Sequence, residues 1–132
     1  MAYNNQPDWE KKELFNCSKV TLKESNKGGY GVFSNQDISA GEVVEIGVMA
    51  RLVNVDGNEN PHLFTWSDDR TVWAIGSGLL HWYNHDDDPN VKKVGNLTND
   101  TMEIIALKDI KKDVELCNTY RSKPWRKCFQ SF

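Results

Sequence analysis

Short apolar stretches alternate with polar turns along most of this 132-residue chain. Within each stretch the apolar residues occupy every second position or form a run of β-branched and aromatic side chains, and both patterns favour β-strands. Stretches of this kind cover residues 18–23, 30–33, 42–55, 62–66, 71–75, 91–94, 102–107 and 114–120. Many short strands at close spacing predict a mainly β fold in a single domain.

The polar segments between these strands are rich in residues that form turns. Examples are the glycine-containing segment 26–29 and the polar clusters at 56–61, 67–70, 95–101 and 108–113. Two segments depart from the β pattern. Residues 76–83 predict one helical turn or more, and residues 9–15 predict a short helix. The expected fold class is therefore mainly β, with several small sheets and few short helices.

Composition does not change the predicted fold class, but it excludes some kinds of binding partner. The net charge is −3 without a block of basic residues, which argues against direct binding of nucleic acid through phosphate contacts. No apolar run approaches the roughly 20 residues of a membrane helix, so we expect no membrane segment. Cys17, Cys117 and Cys128 are odd in number and widely spaced, which predicts an intracellular, reducing compartment.

Residues 80–90 place amide, imidazole and carboxylate groups directly behind an apolar aromatic segment. Polar groups beside buried surface must be hydrogen-bonded or must bind a ligand, since an unsatisfied one costs roughly 1–3 kcal/mol. His81 and His85 have the spacing of one helix face and precede three aspartates, so a metal site is one interpretation. Asn84 to Pro89 is a poor helix sequence, and a solvated turn at Asp86 to Asp88 is the favoured alternative.

Two further segments are candidates for chemistry. The glycines at 28, 29 and 31 either shape a hairpin turn or let the backbone approach a ligand closely, and the sequence alone favours the hairpin. At the other end of the chain, Tyr120 closes an alternating segment, where a tyrosine usually lies in the core or at its rim. Cys117 lies in apolar sequence without a neighbouring His or Lys, which favours a structural thiol over a nucleophile.

The order of these motifs resembles the SET domain, the fold of protein lysine methyltransferases that use S-adenosylmethionine. The motifs that carry the resemblance are Lys27-Gly28-Gly29-Tyr30-Gly31-Val32-Phe33, Ile38-Ser39-Ala40-Gly41-Glu42-Val43-Val44-Glu45, Asn84-His85 with Pro89-Asn90, Ile105-Ala106-Leu107-Lys108-Asp109-Ile110, and Glu115-Leu116 with Tyr120. They span about residues 18–120. The short chain is similar to the minimal single-domain SET proteins of viruses, which tend to pair, so a homodimer is possible.

The resemblance implies a SET-domain β-clip of small sheets, with a C-terminal pseudoknot in which the segment ending at Tyr120 passes residues 84–90. It implies that Gly29, Tyr30 and Gly31 contact the methionine part of S-adenosylmethionine through backbone groups. It also assigns Asn84 and His85 to the cofactor, and it places the Tyr120 hydroxyl beside the transferred methyl. The expected partner is a protein or peptide substrate bearing lysine, which a histone or another basic protein would provide.

For the substrate lysine channel the resemblance points to His62, Phe64 and Tyr83. The family's second channel tyrosine aligns near residues 62–64, so the His62 imidazole would replace its hydroxyl. The expected domains are an N-terminal extension at 1–17, the SET domain at 18–121 and a C-terminal aromatic tail at 122–132. In this tail Trp125 either covers the cofactor and the channel as a lid or belongs to a frayed end.

Several positions depart from the family pattern. Asp86 stands where the family has serine after Asn-His, Arg121 replaces a glycine, and Pro124-Trp125 occupy a site where viral members have a tyrosine beside a tryptophan. Catalysis by the protein lysine methyltransferase reaction is the leading hypothesis. The alternative is a SET-like binding module that recognises a peptide or the cofactor without turnover.

Overall fold

A computed structural model of the chain describes residues 13–120. Nine strands lie in this range: β1 Val20–Glu24, β2 Tyr30–Ser34, β3 Val43–Leu52, β4 Phe64–Thr65, β5 Trp73–Gly76, β6 Asn84–His85, β7 Val91–Asn96, β8 Thr101–Ala106 and β9 Glu115–Asn118. They form two sheets. The prediction of a mainly β fold is therefore confirmed, and none of the described residues is helical.

The four-stranded sheet has the order β1-β2-β9-β6. β1, β2 and β9 are antiparallel neighbours, whereas β6 pairs with β9 in parallel, so that Asn84 lies opposite Cys117 and His85 opposite Asn118. Parallel neighbours require a long connection, and here the whole of β7 and β8 lies between the two paired segments. This pairing brings the polar residues of β6 to the end of the described chain, where Tyr120 lies.

Residues 115–118 and 84–90 are joined by further hydrogen bonds beyond this pairing. The Asn90 side chain accepts a hydrogen bond from the Cys117 N–H at 2.8 Å and donates one to the Glu115 carbonyl at 2.9 Å. The Asp86 N–H donates to the Asn118 carbonyl at 3.0 Å. The contact between the C-terminal segment and the Asn-His to Pro-Asn motif has the form that the predicted pseudoknot requires.

The five-stranded sheet has the order β4-β5-β3-β8-β7, and all its pairs are antiparallel. β3 is its long central strand and carries an irregularity between Val43 and Glu45, so the Val- and Ile-rich segment 42–55, which could form two strands or one long bent strand, forms one. Side chains directly across a ladder share one face of a sheet. Lys93 and Glu45 are both paired with Ile104, so these three side chains form one row on the core side.

The core lies between the sheets and the turn that precedes β6. Its apolar residues with 0% exposure are Val32, Ala74, Leu80, Tyr83, Ile104 and Leu116. Burying a large apolar side chain stabilises a fold by about 1.5–3 kcal/mol relative to leaving it exposed. Leu80 and Tyr83 come from the segment before β6, and Leu116 comes from β9, so core packing fixes the positions of both segments.

The helical turns predicted for residues 76–83 are absent. This segment makes turns with i to i−3 hydrogen bonds, from Leu80 N–H to the Ser77 carbonyl and from Trp82 N–H to the Leu79 carbonyl. Gly78 has a φ of +60°, and the Leu79 N–H donates to the Glu45 carboxylate at 2.8 Å instead of to a helical carbonyl. A positive φ ends right-handed helical geometry, and the buried carboxylate takes the backbone donor.

The helix predicted for residues 9–15 lies partly outside the described residues. Of its last three residues, none is helical, and the following Asn16 forms a two-way backbone bridge with Ile46 at 2.8 and 3.0 Å. The end of the predicted N-terminal extension is thus paired with β3, the central strand of the five-stranded sheet. In the described part of the chain no helix is long and apolar enough to cross a membrane, and Cys17 and Cys117 are free thiols.

Candidate active site

The turn between β1 and β2 has the conformation that its glycines allow. Gly28 and Gly29 have φ values of +99° and +62°, and the Ser25 N–H donates to the Gly29 carbonyl at 2.9 Å. Gly31 has an ordinary φ, but a Cβ at this position would collide with the Glu115 carboxylate and the Asn84 amide. The first two glycines therefore serve the turn, whereas Gly31 serves a close approach between chain segments.

Asn84 connects this turn to β9. Its side-chain amide donates to the Tyr30 carbonyl at 3.0 Å and to the Glu115 carboxylate at 2.8 Å. Glu115 also accepts a hydrogen bond from the Ser25 hydroxyl at 2.8 Å. The predicted cofactor residues of the glycine turn and of the Asn-His pair are thus neighbours, although Asn84 is more than 50 residues from Tyr30 in sequence.

His85 fixes the backbone of the last described residue. Its Nδ1 accepts a hydrogen bond from the Tyr120 N–H at 2.9 Å, and its Nε2 lies 2.7 Å from an Asp87 carboxylate oxygen. Because Nδ1 is an acceptor here, Nε2 carries the proton and donates to Asp87. The His85 and Tyr120 rings also meet edge to face, with 5.2 Å between their centroids. His85 therefore positions Tyr120.

The Tyr120 hydroxyl donates to the Tyr83 carbonyl at 2.8 Å. The Tyr83 ring points the other way, into the core, with 0% exposure, and its hydroxyl donates to the Glu45 carboxylate at 2.7 Å. Burial raises the pKa of Glu45 and, together with the Glu45 charge, raises the pKa of Tyr83 well above its ordinary value. Tyr83 thus contributes its carbonyl to the site, and its ring stays in the core.

A cavity of about 440 Å³ opens beside Tyr120. The described residues that bear most on its chemistry are Phe64, His81, Val91, Lys93, Asn118 and Tyr120. Phe64, one of the predicted channel residues, lies in the wall of this cavity and stacks on His81 with 5.4 Å between ring centroids. His62 is not among the described lining residues. Its ring packs on Trp82 at 4.7 Å instead.

Lys93 is a residue of this cavity that the sequence analysis missed. Its Nζ donates to the Leu80 carbonyl at 3.1 Å and lies 4.4 Å from the centroid of the Phe64 ring. Desolvation by burial lowers the pKa of Lys93 to about 7, against an opposing effect of the Glu45 charge. One signal was available: Lys92 and Lys93 are adjacent in a strand, and successive strand side chains point to opposite faces.

Asp86, the unusual carboxylate after Asn-His, pairs with Lys27 of the glycine turn. The Lys27 Nζ lies 3.1 Å from the Asp86 carboxylate, and both side chains are partly exposed. A hydrogen bond from the Asp88 N–H and the contact with Lys27 lower the pKa of Asp86. The ion pair joins the two segments predicted to hold the cofactor, at a position where the family has serine. Exposed pairs of this kind contribute little stability.

The metal interpretation finds no support in the described residues. His81 lies in a turn with its Nε2 2.7 Å from the Gly76 carbonyl, and His85 is engaged by Tyr120 and Asp87. In residues 13–120 no group of three or more His, Cys, Asp or Glu side chains has the arrangement of a metal site. Burial raises the pKa of Cys117 to about 12, which agrees with a structural thiol. Trp125 lies outside the described residues.

Comparisons with known proteins agree with this geometry. A model of the SET domain matches residues 29–121. A Schizosaccharomyces pombe relative, named as a histone-lysine N-methyltransferase specific for lysine 37 of histone H3, is 26% identical over 115 residues, which cover 82% of this chain and 77% of the relative.

Two solved structures are similar throughout the domain. A Plasmodium falciparum protein named for an inferred histone methyltransferase activity has a TM-score of 0.63 and 30% identity, covering 77% of this chain and 92% of its own. A humanized mutant of the Chaetomium thermophilum Polycomb Repressive Complex 2 with a bound inhibitor has a TM-score of 0.66 and 27% identity, covering 78% of this chain and 15% of its own.

The family match includes Gly29 to Gly31, the Asn-His and Pro-Asn motifs and Tyr120, segments that the structure joins through the hydrogen bonds of Asn84, His85 and Asn90. It confirms the class of protein lysine methyltransferase domain that the order of the motifs predicted. The chain belongs to the SET domain family.

Proposed function

We propose that this chain transfers a methyl group from S-adenosylmethionine to the ε-amine of a lysine in a protein substrate. One observation carries the proposal. The Tyr120 hydroxyl is held on the Tyr83 carbonyl at 2.8 Å in the wall of the 440 Å³ cavity, and Asn84, which follows Tyr83, binds the Tyr30 carbonyl of the glycine turn. A methyl donor on one side and an alkyl amine on the other would meet at this hydroxyl.

The residues of the pocket fit S-adenosylmethionine, whose methionine part carries both an ammonium and a carboxylate. The Tyr30 carbonyl and the Glu115 carboxylate are oxygen acceptors that suit an ammonium, and the Asn84 amide, which donates to both, holds them together. The cofactor would be held by the glycine turn, Asn84 and His85. Trp125, outside the described residues, is a further candidate. When bound, S-adenosylmethionine supplies an electrophilic sulfonium methyl.

The protein contributes alignment and exclusion of water. Methyl transfer requires nitrogen, carbon and sulfur in line, and fixed positions of the reacting groups lower the entropic part of the barrier. The Tyr120 hydroxyl and neighbouring carbonyl oxygens can accept weak C–H···O contacts from the polarised methyl. Phe64, His81 and Val91 give the cavity the apolar walls that an alkyl chain needs.

The relatives support a histone-like substrate, because two of them carry histone methyltransferase in their names. Histone tails are basic, and the net charge of −3 on this chain favours a basic partner. We therefore propose a basic protein substrate, with histone H3 as the first probe.

The test uses the full chain with radiolabelled S-adenosylmethionine and recombinant core histones. The expected result is label on a histone lysine, identified by mass spectrometry, together with cofactor binding in calorimetry. Absence of both cofactor binding and label on any histone or on a panel of basic proteins contradicts the proposal. Cofactor binding without transfer to any of them supports the alternative of a binding module without turnover, which the departure at His62 motivates.

A further inference from the structure

Lys93 enters the substrate side of the site from the core face of the five-stranded sheet. In the ladders it lies opposite Ile104, which in turn lies opposite Glu45, so Lys93 and Glu45 flank Ile104 on the same face. A lysine in such a row must find a polar partner inside the protein or reach a cavity. Lys93 does both, since its Nζ binds the Leu80 carbonyl and its side chain lines the cavity beside Tyr120.

The surroundings of the Lys93 amine are aromatic and almost free of counter-charge. Its Nζ lies 4.4 Å from the Phe64 ring centroid and 5.7 Å from that of Tyr83. Among the ion pairs within residues 13–120, none involves Lys93. Its one hydrogen bond there is to a neutral carbonyl. A buried ammonium without a carboxylate partner is costly, so this environment favours the neutral amine.

The Leu80 carbonyl that binds Lys93 and the Tyr83 carbonyl that binds Tyr120 belong to one short segment, three residues apart. Both side chains also line the same cavity. A substrate lysine that enters this cavity to reach the Tyr120 hydroxyl would therefore pass the Lys93 amine. The residues proposed to hold the methyl donor, at Gly31 and Asn84, are a different set from those that contact the Lys93 amine.

Methyl transfer has a requirement that such an amine can meet. The substrate lysine arrives as an ammonium with an ordinary pKa near 10.4, and it can attack only after losing a proton. We propose that the Lys93 amine is the proton acceptor for the substrate ammonium, an inference that rests on the proposed methyltransferase function.

The step balances without a further reactant. A proton moves from the substrate ammonium to the lone pair of Lys93 Nζ, directly or through one water. The freed lone pair of the substrate forms the new nitrogen–carbon bond as the carbon–sulfur bond of S-adenosylmethionine breaks, and that electron pair remains on sulfur. The Lys93 ammonium then returns its proton to solvent through the open cavity, and the methylated product is left as an amine or ammonium.

Charge and burial around Lys93 suit this role. A general base is most effective when its pKa lies near the operating pH, and burial brings the pKa of Lys93 to about 7. The titratable groups that face it are Glu45 from β3, the buried Tyr83 ring on the core side, and His81 and Tyr120 in the cavity wall. Glu45 opposes the lowering of the Lys93 pKa, while burial also lowers the pKa of His81 and so keeps that ring neutral.

The test compares Lys93→Met and Lys93→Arg with the wild type in the full chain. Methyl transfer to recombinant histone H3 is measured from pH 6 to pH 10 at saturating S-adenosylmethionine. Methionine has no basic nitrogen, and arginine keeps the charge but cannot accept a proton. Lys111→Met is the matched control, because Lys111 is an exposed lysine whose nearest ion-pair partner is Asp37. Calorimetric binding of S-adenosylmethionine confirms that each variant is folded.

The expected wild-type rate rises around pH 7 and then levels. Both Lys93 variants should lose about 100-fold in kcat at pH 7, the usual range for a lost general base, and should recover to within about 10-fold near pH 10, where the substrate amine deprotonates unaided. The Lys111→Met profile should match the wild type. Recovery with pH separates proton transfer from a packing role, because a packing defect would lower the rate at every pH.

Three results would overturn the inference. The first is a Lys93→Met or Lys93→Arg profile equal to that of the wild type. The second is a loss that stays the same from pH 6 to pH 10. The third is a mass increase of one methyl group on Lys93 itself, which would make it an acceptor of the methyl group instead of the proton. In all three cases wild-type transfer to a substrate remains, whereas its complete absence refutes the methyltransferase function as well.

Discussion

At the scale of single residues, two tyrosines that lie close together have opposite environments. Tyr120 is half-buried and directs its hydroxyl to the Tyr83 carbonyl at the cavity, whereas Tyr83 is fully buried and directs its hydroxyl to the Glu45 carboxylate. Substituting phenylalanine removes one oxygen at each position with little change in volume. The two substitutions therefore test different properties: Tyr120→Phe tests the chemistry of the site, and Tyr83→Phe tests the stability of the core.

For Tyr120→Phe we expect methyl transfer to fall by about 10- to 100-fold, because the oxygen proposed to face the transferred methyl is lost. Each tenfold loss corresponds to about 1.4 kcal/mol of barrier. Binding of S-adenosylmethionine should change little, since the contacts of Asn84 and the glycine turn remain. Initial rates and calorimetry check this. An unchanged rate would remove Tyr120 from the catalytic role.

For Tyr83→Phe we expect a less stable protein. The Glu45 carboxylate would keep the Leu79 N–H at 2.8 Å but lose its hydrogen bond from the Tyr83 hydroxyl at 2.7 Å. A buried acceptor that loses a partner costs about 1–3 kcal/mol, more when it is charged. Urea unfolding at pH 7 measures the change. An unfolding free energy equal to that of the wild type would show that Glu45 finds another donor.

The sequence identified the residues that have a fixed position in the motif order and missed those whose role depends on packing. Tyr120, Asn84 and His85 were named because the family resemblance assigns them. Glu45 and Lys93 have no local signature of function, since their importance comes from a ladder that places both beside Ile104 on the core face. That register arises from the pairing of strands far apart in sequence.

At the scale of elements, the β1–β2 turn and β9 form one unit. The Glu115 carboxylate accepts hydrogen bonds from Ser25 and Asn84, and it occupies the space beside Gly31 where a side chain would otherwise lie. The glycine pattern alone favoured a simple hairpin. The structure adds a second reason for glycine at position 31, which only the neighbouring strand reveals.

Gly31→Ala is the corresponding test. Its Cβ would meet the Glu115 carboxylate and the Asn84 amide, so both must shift and the Tyr30 carbonyl contact must change. We expect the dissociation constant of S-adenosylmethionine to rise by about 10-fold, or about 1.4 kcal/mol. Calorimetry measures it directly. Affinity equal to that of the wild type would mean that this contact is not part of the cofactor pocket.

Gly95→Ala is the matched control for Gly31→Ala. Gly95 also lies in a strand, and its added Cβ would meet the Trp66 ring at 3.0 Å. We expect lower thermal stability but an unchanged dissociation constant for the cofactor. A loss of affinity in this variant as well would indicate that the effect at position 31 is one of general stability.

The segment before β6 shows why the local pattern predicted the wrong element. Apolar residues at 79, 80, 82 and 83 are compatible with a helix, but Glu45 from β3 binds the Leu79 N–H and Gly78 takes a positive φ. Tertiary contacts thus override a weak local preference. Periodicity could not identify Glu45 as the residue responsible, because it lies more than 30 positions away.

At the scale of the whole molecule, the alternation of apolar and polar residues predicted the β content, and the order of the motifs predicted the fold. The parallel pairing of β6 with β9 illustrates the difference. Nothing in the hydrophobic pattern of either segment specifies a partner so distant, and parallel pairs depend on the long chain between them. The resemblance to the SET domain predicted that the C-terminal segment passes residues 84–90, and the structure adds the parallel pairing, which core packing of Leu80 and Leu116 maintains.

The stability of the whole molecule should depend on pH through Lys93. Its pKa in the folded protein is lowered from 10.5 to about 7, so the folded state binds this proton less readily than the unfolded chain does. The contribution of Lys93 to the free energy of unfolding is therefore fully present above pH 10.5, and it is lost as the pH falls from 10.5 through 7. Within that window the wild type gains up to about 1.4 kcal/mol per pH unit from this group.

Lys93→Met removes this titration and should abolish its share of the pH dependence. The unfolding free energy of the wild type minus that of Lys93→Met should rise by on the order of 3 kcal/mol between pH 7 and pH 10. Other titrating groups are common to both proteins and cancel in the difference. Urea unfolding at several pH values measures it, with Lys111→Met as the control that should show no trend. Parallel curves for the wild type and Lys93→Met would mean that Lys93 keeps an ordinary pKa, and its proposed role as a base would lose its electrostatic basis.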